Sequence, residues 1–194
     1  MIKRIDCIIL AGGKGKRIGS FKPLLMLNQK PLIFYPFSIA KKFFSNVIIV
    51  VKNREQKMKI EKALGKKVKV VEDKSRKFSP IVGIKAGIEF AKSEKIFLLA
   101  CDMPFVDEKT ISKILKEEAD CVAFKWKDGR IEPFCAVYDK KIFERARDDE
   151  SLRSLIKKVK NKKLIEIKNP LAFFNINKKE DLKKSKQFFR DFKF

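Results

Sequence analysis

The sequence predicts an α/β fold built on a mainly parallel sheet. Two observations lead to this prediction: apolar, β-branched runs recur along the chain, and segments with helical periodicity separate the first five of them. Continuous apolar strands are typical of a sheet that is covered on both faces. Alternation of strands and helices indicates crossover connections, and therefore strands that run parallel.

Six apolar runs are the predicted strands, because they are rich in residues that favour a buried sheet. In chain order they are Ile5–Leu10, Val47–Val51, Val68–Val71, Ile96–Cys101, Cys121–Phe124 and Phe134–Tyr138. The predicted helices between the first five are Leu32–Phe44, Glu55–Leu64, Ile81–Ala91 and Glu108–Glu118. Ser79 followed by Pro80 is typical of a helix start, and Asp107 is the expected N-cap of the fourth helix.

The dipeptide Asp128-Gly129 predicts a hairpin turn between the last two strands, which interrupts the regular alternation. Beyond it, Leu152–Lys158 and Lys178–Phe189 are predicted helices around a short strand, Leu164–Ile167. Because the 194 residues contain neither repeats nor a linker, we expect one domain over residues 1–190. Residues 191–194 are expected to form a loosely held tail.

Composition excludes several classes of function. No apolar stretch reaches the roughly 20 residues of a membrane span, and the first residues have too short an apolar region for a signal peptide. The four cysteines lie in apolar runs without C-x-x-C spacing, which predicts buried, reduced thiols in a cytoplasmic protein. The chain has no histidine, so Ser–His and Cys–His nucleophilic chemistry and histidine metal sites are excluded.

The net charge of +23 raises the alternative of a nucleic-acid-binding protein. However, the 47 cations are spread over the whole length, and the aromatic residues are 18 Phe against two Tyr and one Trp, with Phe in apolar runs indicating a core. RNA-binding modules instead interleave exposed aromatic residues with basic ones. We therefore expect no specific nucleic-acid partner.

The first predicted strand breaks into a loop that is suited to phosphate binding. Between Ala11 and Lys22 there are four glycines and four cations. Glycine lets backbone N–H groups approach an anion closely, and Lys and Arg supply positive charge. The loop is neither a dinucleotide fingerprint, which needs glycine where Ile18 stands, nor a P-loop, which needs Ser or Thr where Arg17 stands. The alternative is a glycine-rich surface turn.

Asp102 follows the fourth strand, in the block Cys101-Asp102-Met103-Pro104. Ligands of open α/β sheets bind outside the carboxyl ends of the strands, so Asp102 is expected beside the glycine-rich loop. A lone aspartate there is often a turn or N-cap residue, but Asp107 is the better cap for the next helix. Asp102 is therefore the candidate ligand for Mg²⁺ beside a triphosphate.

Two further polar residues follow the second and third strands, namely Asn53 and Asp73. Asn53 is a candidate base-reading amide or, equally, an ordinary N-cap of the helix that begins near Glu55. The Asp73 carboxylate could accept hydrogen bonds from the N1–H and N2 amino group of guanine, or it could be a solvated loop acid.

Together these motifs resemble those of the molybdenum cofactor guanylyltransferase family. The matching segments are Leu10-Ala11-Gly12-Gly13 with Arg17, Gly19 and Lys22, Asn53-Arg54, Asp73, Ser79-Pro80-Ile81-Val82-Gly83, Cys101-Asp102-Met103-Pro104, and Phe174-Asn175-Ile176-Asn177 with Glu180-Asp181-Leu182. The family differs by often having Ser, Met and Asp where Gly15, Ile18 and Phe21 stand here. The resemblance implies a single-domain, Rossmann-like three-layer sandwich.

The resemblance also implies transfer of GMP from GTP to the terminal phosphate of molybdopterin, with Mg²⁺ as cofactor and release of pyrophosphate. It assigns Leu10, Ala11, Gly12, Gly13, Lys22, Asn53, Asp73 and Asp102 to GTP, Arg17, Lys22 and Asp102 to catalysis, Asp102 to the metal, and Asn175 and Asn177 to the acceptor. An acidic protein that carries the pterin is a further expected partner. Two related enzymes are the alternatives. A molybdopterin cytidylyltransferase tends to have Asp-Ile-Asp where Asn175-Ile176-Asn177 stands here, and a cobinamide guanylyltransferase shares the opening loop but is not expected to share Cys101-Asp102-Met103-Pro104.

Overall fold

The computed structural model describes residues 5–13, 21–75 and 77–191, and its centre is a seven-stranded sheet. In chain order the strands are β1 (Ile5–Leu10), β2 (Met26–Leu27), β3 (Lys30–Pro31), β4 (Val47–Val51), β5 (Lys69–Glu72), β6 (Lys95–Ala100), β7 (Cys121–Lys125), β8 (Ile131–Asp139) and β9 (Lys162–Glu166). The sheet order is β5-β4-β1-β6-β8-β7-β9, and β2 and β3 form a separate hairpin. The neighbours of β1 in the sheet are β4 and β6, which lie far from it in sequence, as crossover connections require.

The sheet is mainly parallel, as predicted. The pairs β1–β4, β1–β6, β4–β5 and β7–β9 are parallel, whereas β8 is antiparallel to both β6 and β7. The reversal occurs at the predicted Asp128-Gly129 turn, where the Trp126 N–H donates to the Arg130 carbonyl at 2.9 Å. Gly129 has a φ of 82°, a conformation that glycine adopts without strain.

The helices that flank the sheet are α1 (Phe34–Phe43), α2 (Arg54–Leu64), α3 (Pro80–Ile88), α4 (Glu108–Leu115), α5 (Lys141–Glu144), α6 (Leu152–Lys158) and α7 (Lys179–Asp191). Four of the helices, α2, α3, α4 and α6, begin at a residue whose side chain caps the helix. The Ser79 and Asp107 side chains accept from backbone N–H groups of α3 and α4, which confirms both predicted caps. The short helix α5 and the β2–β3 hairpin were not predicted, because segments of two to four residues show no clear periodicity.

Strand β8 differs most from its predicted bounds, since it begins three residues before Phe134. The sequence Ile131-Glu132-Pro133 contains a charge and a proline, which argue against a strand. Here Glu132 nevertheless pairs with Phe124, and the ladder is irregular between Val122 and Phe124 of the partner strand. A proline is tolerated beside such an irregularity because its missing N–H removes no regular ladder bond.

The core is formed by the faces of the sheet and the helices packed on them. Cys7, Ile8 and Ile9 of β1 have no exposed surface. All four cysteines are buried free thiols, which confirms the predicted state, and burial raises the pKa of Cys121 to about 12. In the described ranges no helix is both long and apolar enough to cross a membrane. The predicted tail begins at Asp191, the last residue of α7, and residues 192–194 lie outside the described residues.

Candidate active site

A cavity of about 1100 Å³ lies at the carboxyl ends of the parallel strands. One side, here called the nucleotide wall, contains residues that follow β1, β4 and β5 and begin α3: Leu10, Gly12, Gly13, Lys52, Asp73, Phe78 and Ser79. The other side, the acceptor wall, contains Glu132, Phe134, Glu150, Ser151, Arg153, Asn175 and Asn177. Lys22 and Asp102 line the cavity between the two walls, because β1 and β6 are central in the sheet.

The start of the glycine-rich loop is fixed against β4. The Ala11 N–H donates to the Val50 carbonyl at 2.8 Å, so in this structure it bonds to β4 and does not point to a ligand. A Cβ on Gly12 would lie 3.1 Å from the Lys52 backbone nitrogen, which explains why glycine is needed here. Gly13 lines the cavity and has open space around it. The rest of the loop, with the predicted catalytic residue Arg17 and with Gly15 and Gly19, lies outside the described residues.

Three side chains from distant parts of the sequence meet at the centre of the cavity. The Lys22 ammonium donates to the Asp102 carboxylate at 2.8 Å and to the Asn177 side-chain oxygen at 3.0 Å. Lys22 begins a short 3-10 turn, and Asp102 is the second residue after the end of β6. The Lys22 and Asp102 side chains are 18% and 16% exposed, so this ion pair lies largely out of bulk water.

The segment Asn175–Asn177 is held against Asp102 by its backbone. The Ile176 N–H donates to the Asp102 carbonyl at 3.0 Å, and the Ile176 side chain is fully buried. The Asp181 carboxylate accepts from the N–H groups of Asn177 and Lys178, each at 2.8 Å. Asn175 donates through its side-chain amide to the Phe173 carbonyl at 3.0 Å. Both predicted acceptor residues therefore line the cavity beside the predicted metal ligand.

On the nucleotide wall, Asp73 forms an ion pair with Lys52, a residue that the sequence analysis missed. The Lys52 ammonium lies 2.7 Å from Asp73 Oδ2, and the two side chains are 11% and 7% exposed. The Ser75 N–H donates to Asp73 Oδ1 at 2.9 Å. The only sequence signal for Lys52 was its place at the exit of β4, next to Asn53.

Two of the predicted GTP-binding residues, Asn53 and Ala11, support the fold around the cavity. The Asn53 side chain accepts from the Gln56 N–H at 2.9 Å and caps α2, the second of the two functions that the sequence left open. Ala11 is fully buried. Neither Ala11 nor Asn53 is among the described residues that line the cavity.

Glu132 is a buried carboxyl group of the acceptor wall that sequence analysis also missed. It is 7% exposed, and this burial raises its pKa. The Phe134 N–H contacts its Oε1 at 3.4 Å, and Arg153 donates to the neighbouring Ile131 carbonyl at 2.8 Å. No cation of the described residues forms an ion pair with it. The Glu-Pro pair in an apolar run was the available signal.

The described residues suit a cation that is bound mainly through a nucleotide. Among them, no three His, Cys, Asp or Glu side chains gather as a metal cluster. Mg²⁺ is commonly held by one or two carboxylates together with substrate phosphates, and it prefers hard oxygen ligands. The Asp102 carboxylate fits that pattern because it lines the cavity beside the start of the glycine-rich loop.

Known proteins are similar to this chain along most of its length. The family model described as the MobA-like NTP transferase domain matches residues 7–164. The molybdenum cofactor guanylyltransferase of Desulfosudis oleivorans is 32% identical over 193 residues, which cover 92% of each chain. The probable molybdenum cofactor guanylyltransferase of Thermococcus sibiricus is 34% identical, over 92% of this chain and 96% of the relative.

Solved structures show the same fold. Molybdopterin-guanine dinucleotide biosynthesis protein A of Archaeoglobus fulgidus superposes with a TM-score of 0.80 at 24% identity, over 97% of this chain and 100% of the other. A protein from Aquifex aeolicus has a TM-score of 0.74 at 28% identity, over 92% and 96% of the two chains. The family model covers most of the chain, and the curated relatives match nearly end to end. The chain therefore belongs to the MobA-like NTP transferase family.

Proposed function

We propose that this protein transfers GMP from GTP to the terminal phosphate of molybdopterin. The observation that carries the proposal is the contact of Lys22 with both Asp102 and Asn177, which links the proposed metal ligand to the acceptor wall through one cation. Pockets for one drug-sized ligand enclose about 300–1,000 Å³. The cavity, at about 1100 Å³, is close to the upper end of that range, which suits a large nucleotide substrate.

On the nucleotide wall, the residues that follow β1 and β5 would hold GTP. Leu10, Gly12 and Gly13 line the cavity, and the predicted phosphate loop continues from them with Arg17. Asp73 would accept from the N1–H and the N2 amino group of guanine, which adenine cannot offer. An ionised carboxylate has about four acceptor sites, so its contacts with Lys52 and Ser75 leave two for the base.

At the centre, Lys22 would neutralise negative charge that builds up as the reaction proceeds. An oxygen of the acceptor phosphate forms a bond to the α-phosphorus of GTP, and the bond from that phosphorus to the bridging oxygen of the β-phosphate breaks. The electron pair leaves with pyrophosphate. Transfers of this kind depend on alignment and charge neutralisation, and they need no protein nucleophile.

Asp102 would hold Mg²⁺, which when bound supplies positive charge to the phosphate oxygens. The Lys22 ammonium fixes the orientation of the Asp102 carboxylate through the 2.8 Å contact. The Ile176 N–H fixes the Asp102 backbone as well. This support ties the metal ligand to the acceptor residues Asn175 and Asn177.

The acceptor wall would bind the pterin with Asn175 and Asn177, whose amides offer both donors and acceptors. Positive surface charge would attract the two anionic substrates and an acidic carrier protein of the pterin. Charge attraction of this kind acts on association rates and is weakened by salt.

The test is a transfer assay with purified protein, molybdopterin, Mg²⁺ and each of GTP, CTP, ATP and UTP. We expect pyrophosphate release and a guanine dinucleotide product with GTP, and at most slow transfer with the other three. Preferred use of CTP would indicate the cytidylyl transfer, and transfer of GMP only to another phosphate acceptor would refute molybdopterin as the substrate. Binding of RNA with sequence preference and without GTP binding would refute an enzyme altogether.

A further inference from the structure

We infer that Lys52 is a specificity-determining residue that binds O6 of guanine, so that Lys52 and Asp73 together recognise the base. This inference rests on the proposed function, since it takes GTP as the nucleotide. It adds to that function a residue at the end of β4 that the sequence analysis did not select.

Lys52 is held in place by three neighbours on the nucleotide wall. Its ammonium lies 2.7 Å from Asp73 Oδ2, donates to the Lys77 carbonyl, and lies 4.7 Å from the centre of the Phe78 ring. Lys52, Asp73 and Phe78 all line the cavity. A lysine held in this way keeps a fixed position, unlike an exposed lysine whose long side chain samples many rotamers.

The Lys52 ammonium is a hydrogen-bond donor and the neighbouring Asp73 carboxylate is an acceptor, so together they are complementary to the edge of guanine. Guanine carries the O6 acceptor next to the N1–H and N2 amino donors, so O6 would face the ammonium and the two donors would face the carboxylate. Adenine has an amino donor at the position of O6, and cytosine likewise has its N4 amino donor. Both would place a donor against the Lys52 ammonium. Uracil offers O4 and N3–H, but its O2 would oppose the Asp73 carboxylate.

The hydrogen-bonding capacity of both groups allows this arrangement. An ammonium has three donors, of which Asp73 and the Lys77 carbonyl take two, so one remains for O6. A site that binds a polar group of its substrate rejects analogues that leave its own buried groups without a partner. The low exposure of Lys52 and Asp73 makes that rejection effective.

The experiment compares base analogues in wild-type protein and in Lys52→Met. GTP, 6-thio-GTP, ITP and ATP are titrated in the presence of Mg²⁺ by calorimetry. Sulfur is a poor acceptor, so 6-thio-GTP tests the O6 contact, whereas ITP lacks the N2 amino group and tests the Asp73 contact. Lys74→Met is the matched control, because it removes one positive charge from an exposed residue next to Asp73.

We expect wild-type protein and Lys74→Met to bind GTP roughly 10- to 100-fold more tightly than 6-thio-GTP, as for a hydrogen bond to a charged group. In Lys52→Met this ratio should fall to near one, while the ratio of GTP to ITP affinity stays unchanged. Lys52→Arg keeps a cation with donors and should retain most of the preference, and it serves as the second variant if Lys52→Met does not fold.

Two results would overturn this inference without affecting the proposed function. The first is that Lys52→Met still prefers GTP to 6-thio-GTP as strongly as wild type does. The second is that Lys52→Met binds GTP more tightly than wild type, which would show that Lys52 competes with guanine for Asp73. In both cases the wild-type protein still binds GTP, so the proposed function stands. Wild-type protein that binds no GTP, or binds GTP and ATP equally, would contradict the proposed function together with the inference.

Discussion

Replacing Lys22 by methionine removes the charge at the centre of the cavity and keeps most of the apolar stem of the side chain. Two contacts are lost, the one to Asp102 at 2.8 Å and the one to Asn177 at 3.0 Å. If Lys22 neutralises charge in the transition state, the variant should lose turnover far more than it loses stability.

The expected magnitudes follow from the burial of the pair. Breaking a fully buried ion pair costs about 3–5 kcal/mol, and breaking a surface pair about 0–1 kcal/mol. Because the Lys22 and Asp102 side chains are 18% and 16% exposed, we expect the free energy of unfolding to fall by about 1–3 kcal/mol. Removal of one preorganised charge-stabilising donor costs about 10²–10³ in kcat.

The assay measures kcat and KM for GTP separately, together with unfolding in urea. A loss confined to kcat indicates a contact made in the transition state, whereas a rise in KM alone indicates ordinary substrate binding. Lys22→Arg is the matched control, since it retains the charge and should recover part of the rate. Turnover of Lys22→Met within a few-fold of wild type, in a folded protein, would remove Lys22 from the mechanism.

Three further predictions concern the metal ligand, the acceptor wall and the core. Asp102→Asn should fold but lose Mg²⁺-dependent transfer, because an amide is a poor ligand for a hard cation; an unchanged Mg²⁺ titration would contradict this. Because the pKa of Glu132 is raised in the folded protein, the free energy of unfolding falls as pH rises from 4.5 through that pKa. In Glu132→Gln, the free energy of unfolding measured in urea should therefore fall less between pH 4 and 7 than in wild type. Parallel pH profiles of the two proteins would refute this prediction. Gly87→Ala should lower the free energy of unfolding by about 1–3 kcal/mol, since the new Cβ would lie 2.9 Å from Ile8. In Gly83→Ala the nearest atom to the new Cβ lies at 3.3 Å, so this variant should lose less stability in the same urea assay, and equal losses would contradict the packing argument.

The elements that could be predicted best are those with uninterrupted local patterns. β1, β4 and α6 have the predicted bounds, because each is a continuous apolar run or a periodic segment with a clear start. The helices α3 and α4 end three residues before their predicted ends. Helix ends depend on tertiary contacts and capping more than on periodicity, so they are less predictable from local sequence.

Asp102 was predictable from a strand exit that coincides with a polar motif, whereas Lys22 was selected from the glycine-rich loop and Asn177 through the family resemblance. Lys22, Asp102 and Asn177 were selected from separate motifs, and the structure brings them within hydrogen-bond distance. Lys52 and Glu132 were not selected, because a lysine at a strand exit among many cations, or an acid beside a proline, is only a weak local signal. Their burial in the cavity wall follows only from the packing of distant segments.

The antiparallel strand β8 explains how the acceptor wall comes to face the nucleotide wall. Because β8 runs opposite to β6, its first residues lie at the carboxyl end of β6, where Asp102 is. Glu132, the second residue of β8, lines the cavity together with Asp102, and its pKa is raised by burial and further by the charge of Asp102. β9 then pairs in parallel with β7, so the chain leaves it at the same edge and returns to Asp102 through Ile176. A substitution in the Asp128-Gly129 turn should therefore weaken acceptor binding more than it weakens GTP binding.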